Sequence, residues 1–150
     1  MCLFTDGSCI EDSQYADFAV VSYDGSISEG YKCADFVSSY CVEAIAILMA
    51  LELEYNWLKL TIFSDSKSIL SAVSAQFDHR DKLHFILFIK DNILHLTRDK
   101  VEVKFIWIPS HIGISGNEQA NRLAREAIAE ICNWEFQYLI FKFMKSTDVQ

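Results

Sequence analysis

The sequence predicts an α/β fold: a mixed five-stranded sheet flanked by helices, with elements in the order βββαβααβα. Three observations predict it. The runs Phe18-Ala19-Val20-Val21-Ser22-Tyr23 and Ile27-Ser28-Glu29-Gly30-Tyr31 flank Asp24-Gly25, a tight-turn signal that makes them a β-hairpin. Residues 42–55 are apolar nearly all round, which describes a helix packed on more than one side. Strand-like runs then alternate with helix-length segments, the pattern that lays helices on the faces of a sheet.

Taken in order, Met1-Cys2-Leu3-Phe4-Thr5 reads as an apolar strand leading to Asp6, and with the hairpin it makes an antiparallel meander of three strands. The helix at 42–55 is broken only by Glu43, Glu52 and Glu54. A strand at 59–64 follows, then a short helix from Ser66 to about Ala75. His79 to Arg98 reads as a longer helix, with Leu83, Ile86, Leu87, Ile89, Ile93 and Leu96 as its apolar face and charges elsewhere. Val101 to Ile108 reads as a strand that Pro109 ends. Ser115-Gly116-Asn117-Glu118 matches a capping box and opens a helix reaching roughly Cys132. Within 133–150 the pattern assigns no element.

The chain has 150 residues, 51% of them hydrophobic, so it can bury a sizeable core as a single domain spanning 1–150. Its five cysteines are an odd number without CxxC pairs, which argues against a disulfide framework and a zinc ribbon and for a reducing compartment, cytoplasmic or nuclear. No basic region followed by an apolar stretch opens the chain. The most apolar segment, 83–96, is interrupted by Lys90, Asp91, Asn92 and His95, so neither secretion nor a membrane partner is expected. The net charge of −8 works against binding a polyanion, because phosphate neutralisation dominates nucleic-acid affinity. Part of that objection dissolves if carboxylates cluster around divalent cations, whose charge inverts the local potential.

The carboxylates are placed for such a cluster. Asp6 and Asp65 each follow an apolar strand, at the sheet edge where α/β proteins hold ligands, and parallel pairing of those strands would bring them together. Glu43 lies near the start of a helix that otherwise reads as core, where a lone carboxylate is costly unless it is paired or binds a cation. Singly each has a plain reading: Asp6 as a turn residue before Gly7, Asp65 as part of a helix cap, Glu43 as a partner of the helix dipole. Jointly, in this order of elements, they favour a divalent-metal site.

Thr5-Asp6-Gly7-Ser8, the helix bearing Glu43, Phe63-Ser64-Asp65-Ser66, and the block from Trp107-Ile108-Pro109-Ser110-His111 through Gly116-Asn117-Glu118-Gln119-Ala120-Asn121 to Arg122-Leu123-Ala124 resemble type 1 ribonuclease H. The last block is most similar to the ribonuclease H domains of non-LTR retrotransposons. The resemblance covers about residues 1–132, leaving 133–150 as a C-terminal tail, and it implies a ribonuclease H-like fold.

The resemblance further implies an endonuclease that hydrolyses the RNA strand of RNA:DNA hybrids with two Mg²⁺ ions, Mn²⁺ being an alternative with the same preference for oxygen ligands. Carried onto these positions, Asp6 would bridge both ions, and Glu43 and Asp65 would hold the one on the leaving-group side. Asn121 stands beside the nucleophile-side ion, where the family pattern has aspartate; its amide adds no charge, which implies a slower reaction. His111 would assist proton transfer or product departure. Ser8, Cys9, Ser39 and Tyr40 would face the RNA strand, with Lys67 near the groove, reading hybrid shape and 2′-hydroxyls.

Across 77–100, Arg80, Lys82, Lys90, Arg98 and Lys100 are offset by Asp78, Asp81, Asp91 and Asp99, which reads as packing surface rather than a basic grip on the DNA strand. A reverse transcriptase or other nucleic-acid-binding domain of a parent polyprotein would then supply affinity. Two alternatives stand beside the nuclease: an inactive hybrid-binding module, motivated by Asn121, and a protein-interaction domain on a repurposed fold, motivated by the acidic balance and the apolar run Tyr138-Leu139-Ile140-Phe141-Lys142-Phe143-Met144.

Overall fold

The parallel and antiparallel halves of the sheet meet on the first strand. A computed structural model describes residues 1–9, 16–33, 38–53, 56–75 and 84–127. Its elements are β1 (Cys2–Cys9), β2 (Ala16–Ser22), β3 (Ser28–Cys33), α1 (Ser39–Glu52), β4 (Lys59–Ser64), α2 (Lys67–Ser74), α3 (His84–Arg98), β5 (Glu102–Trp107) and α4 (Ser115–Glu126). They form a mixed five-stranded sheet in the order β3-β2-β1-β4-β5. β1, β2 and β3 pair antiparallel, whereas β4 lies parallel to both β1 and β5.

The alternation of side chains along β1 assigns the helices to opposite faces. Leu3 packs into the main core with Ile47, Leu48 and Leu51 of α1, together with Ile86 and Ile89 of α3. Phe4, its neighbour, faces the other way and packs with Ala120 and Leu123 of α4. β2 is buried along its whole length because α1 and α4 cover both of its faces. α1 serves two core clusters, with Val42, Ile45 and Ala46 in the second beside Phe18, so its nearly uniform apolar surface matches a helix packed on more than one side.

Two glycines permit the closest approaches. A Cβ on Gly7 would lie 2.7 Å from the Glu43 backbone nitrogen and 2.8 Å from Val42, so only glycine lets α1 sit this near β1. A Cβ on Gly116 would meet the Phe4 ring at 2.3 Å, so the start of α4 rests on that ring, which in turn stacks on Phe63 at 4.8 Å.

Several boundaries differ from the sequence reading. α1 begins at Ser39, three residues before the apolar run at 42, because the extended Ser38 caps it and its hydroxyl accepts from the Cys41 N–H at 3.3 Å. The hairpin loop spans 23–27 rather than a two-residue turn: Asp24 Oδ1 accepts from the Ser22 hydroxyl and from both Ser26 N–H and Oγ, and this Asx network closes a wider loop. The capping box at Ser115 does not form. Ile114 is the N-cap, Ser115 is already helical, and the Glu118 N–H bonds the Ile114 carbonyl at 2.9 Å.

Lys90, read as one of the outward charges of α3, is buried, and its ammonium donates to the Ala75 carbonyl at 2.9 Å, tying α3 to the end of α2. The expected start of that helix at His79, with Leu83, Arg80 and Lys82, lies outside the described residues. So do 128–132, where the sequence reading expects the last helix to end, and the tail 133–150 with its run from Tyr138 to Met144. No helix among the described residues is long and apolar enough to cross a membrane.

Candidate active site

Asp6 lies inside β1, not at its end as the apolar run suggested, because β1 continues to Cys9 along β2. The parallel ladder with β4 stops one residue earlier, at Thr5↔Ser64, so Asp6 and Asp65 stand side by side where β4 gives out. Beyond that point the flank of β1 facing β4 has no strand to pair with among the described residues. The Gly7 N–H there donates to the Glu43 carboxylate, which α1 brings in across the close contact at Gly7. Ligand oxygens of Asp6, Glu43 and Asp65 all fall within 4.8 Å of one another.

Asp65 is held from two further directions. The Trp107 indole N–H donates to its carbonyl at 3.1 Å, fastening the end of β5 to the start of α2. The Asn117 amide, fully buried on α4, donates to its Oδ2 at 3.4 Å.

Three carboxylates this close, in a partly desolvated place, cannot all carry charge at neutral pH. Burial first, and then Asp65, push the Asp6 carboxyl up to about 7, with Arg125 pulling in the opposite direction. Burial, then Asp6 and Asp65, push Glu43 up to about 9, against the Gly7 hydrogen bond. The Glu43 Oε2 is buried without a hydrogen-bond partner among the described residues. An orphaned acceptor among crowded carboxylates is what a hard divalent cation would satisfy, and the all-oxygen donor set fits Mg²⁺ or Mn²⁺.

The cluster lies in an open cavity of about 340 Å³. Of the residues singled out in the sequence, Asp6, Ser8, Cys9, Ser39, Glu43, Asp65, His111 and Asn121 all line it. His111 comes from the exposed loop between β5 and α4, with a left-handed backbone (φ 57°). Burial, then the neighbouring Asp17, raise the Cys9 thiol above its ordinary value. Tyr40 and Lys67 do not line the cavity. Tyr40 packs half-buried against the main core, and the Lys67 ammonium sits 5.5 Å over the Trp107 ring.

Ser66, Ser110 and Arg125 line the cavity without having been singled out. Arg125 was open to detection, because it follows Asn121 by four residues and a helix sets such pairs on one face. Asn117 shares that spacing with Asn121 on the other side, yet nothing local marks it as a partner of Asp65.

The RNase H family model matches residues 1–129. Among curated relatives, Ribonuclease H of Francisella tularensis subsp. novicida (strain U112) is 26% identical over 137 residues, covering 85% of this chain and 90% of that protein. Ribonuclease H of Campylobacter jejuni subsp. jejuni serotype O:23/36 (strain 81-176) is 25% identical over 136 residues, covering 86% and 91%.

Proposed function

The chain belongs to the ribonuclease H family, and from that premise we propose that it is a metal-dependent endonuclease cutting the RNA strand of RNA:DNA hybrids, slowed by the amide at Asn121. The observation that carries this reading is the convergence of Asp6, Glu43 and Asp65, with one buried carboxylate oxygen left unpartnered among the described residues. Those three side chains would hold the ions, and Asn121 would offer its amide oxygen. When bound, a pair of Mg²⁺ ions supplies activation of the attacking water and stabilisation of the charge that develops on the phosphate and the leaving 3′ oxygen.

The chain's own residues do the rest. Asp6 orients the cluster from a buried strand that cannot shift without disturbing two ladders. Gly7 keeps Glu43 close through its N–H, and Asn117 with Trp107 holds Asp65 in place. His111, exposed in the loop before α4 and lining the cavity, would take or give a proton as product leaves. Ser8, Cys9 and Ser39 present small polar groups along the wall where a ribose edge would lie. The resemblance of the 107–124 block to non-LTR retrotransposon domains supports a place beside a reverse transcriptase in a parent polyprotein, and hence an intracellular setting.

Asn121 favours a second reading, a module that holds hybrid without cutting it. Cleavage of an end-labelled hybrid by this chain and by Asn121→Asp, in Mg²⁺ and in Mn²⁺, separates the two. Slow cutting that the substitution speeds by roughly tenfold to a hundredfold, the usual effect of altering groups around a metal site, is the expected result. Folded proteins that bind hybrid and never cut it, with aspartate restored, would leave the binding module standing instead.

A further inference from the structure

We propose that Arg125 grips a phosphate of the hybrid directly, without a divalent ion, and that the amide at 121 leaves it available to do so. The inference rests on the substrate class proposed above and adds a contact to it. Arg125 is the only lysine or arginine lining the carboxylate cavity among the described residues. It is exposed on α4 and has no ion-pair or hydrogen-bond partner among those residues. Its charge nevertheless reaches Asp6, so it acts on the same small volume as the carboxylate cluster.

An explanation for its lack of a partner among the described residues lies one helical turn back. Residues 121 and 125 are neighbours on the surface of α4, at the separation where an acid and a guanidinium pair. An aspartate at 121 would draw the guanidinium down onto the helix, whereas asparagine has no charge to hold it. An exposed guanidinium lining the cavity, with no partner among the described residues, offers a planar fork of donors that matches two phosphate oxygens. In a chain of net charge −8 such a fixed cation matters most where the nucleic acid comes nearest.

The test is hybrid binding in EDTA, followed by fluorescence anisotropy of a labelled RNA:DNA duplex across a range of KCl concentrations. The proteins are the full chain, Arg125→Ala, Arg125→Lys, Asn121→Asp and the double variant Asn121→Asp with Arg125→Ala. Arg125→Ala should weaken binding severalfold and flatten the log affinity against log salt plot by about 0.9, the loss of one phosphate contact. Arg125→Lys, which keeps the charge, should retain the slope. Asn121→Asp should weaken binding when Arg125 is present and have a smaller effect when it is absent.

An unchanged slope in Arg125→Ala would overturn the proposal. Equal effects of Asn121→Asp in both backgrounds, or no binding in EDTA at low salt by the unmodified chain, would overturn it as well. Cleavage assays on the same proteins in Mg²⁺ keep the two readings apart: a chain that cuts but shows no Arg125-dependent slope refutes only this contact. A chain with the Arg125-dependent slope that never cuts refutes only the nuclease.

Discussion

Replacing Glu43 by glutamine should stabilise the protein in EDTA at neutral pH, although Glu43 sits in the middle of the candidate site. In the fold its carboxyl holds its proton up to about pH 9, chiefly because burial penalises the charged form and Asp6 and Asp65 lie beside it. In the unfolded chain the same group ionises near 4.5. At pH 7 the unfolded state is therefore favoured by the ionisation it can reach and the fold cannot, a difference of about 3 kcal/mol. Glutamine has nearly the same shape, can still accept from the Gly7 N–H, and has no proton to lose.

The sign follows from linkage. A carboxyl with a raised folded pKa contributes stability that is complete below 4.5 and is lost progressively as pH rises towards about 9. The advantage of Glu43→Gln should therefore grow from about 1 kcal/mol at pH 5 to about 3 kcal/mol at pH 7, the latter worth roughly 10 °C in Tm for a chain of this length. Thermal unfolding in EDTA, followed by circular dichroism at pH 5, 6, 7 and 8, measures it. A variant less stable than the parent at pH 7, or a gap that stays flat between pH 5 and pH 8, would refute the reasoning and place Glu43 in a stabilising interaction instead.

Mg²⁺ should reverse that order. At a hundred times its dissociation constant it should stabilise the unmodified chain by about 2.7 kcal/mol and Glu43→Gln by much less, with the larger Tm rise at pH 8 than at pH 5 because the ligands must be deprotonated. Gly7→Ala should cost about 3 kcal/mol or more, since the added methyl meets backbone on α1 at 2.7 Å; urea unfolding would show it, and hybrid cleavage should fall with it as Glu43 is pushed away. Ser38→Ala should cost about 1 kcal/mol through the lost N-cap of α1, and an unchanged urea midpoint would mean that the cap contributes nothing.

Much of the molecule was legible along the chain because the signals are local. Alternation in Leu60, Ile62 and Ser64 marks β4, and all three are buried. The apolar run in α1 marks a helix with two packed sides, and it meets both β1 and α3. Ends were read less well, because a cap such as Ser38 or Ile114 is set by backbone geometry rather than by a hydrophobic period. Tyr40 illustrates the same point: one residue on the first turn of a helix has no period to show how far it packs against the core, and here it is half-buried beside it. Lys90 shows the limit from the other direction, since its burial depends on a carbonyl fifteen residues away at Ala75.

By itself the sequence determined the order of elements, the three acidic positions worth watching, and the amide at 121, since each is a matter of residue type and local spacing. Only the tertiary structure decided that Asp6, Glu43 and Asp65 meet within 4.8 Å, that Asn117 reaches Asp65, and that Arg125 shares their cavity. Those facts depend on the parallel register of β1 with β4 and on α1 and α4 closing over opposite faces of the sheet. That register is chosen by burial summed over residues nearly sixty positions apart, which no short window of the chain contains.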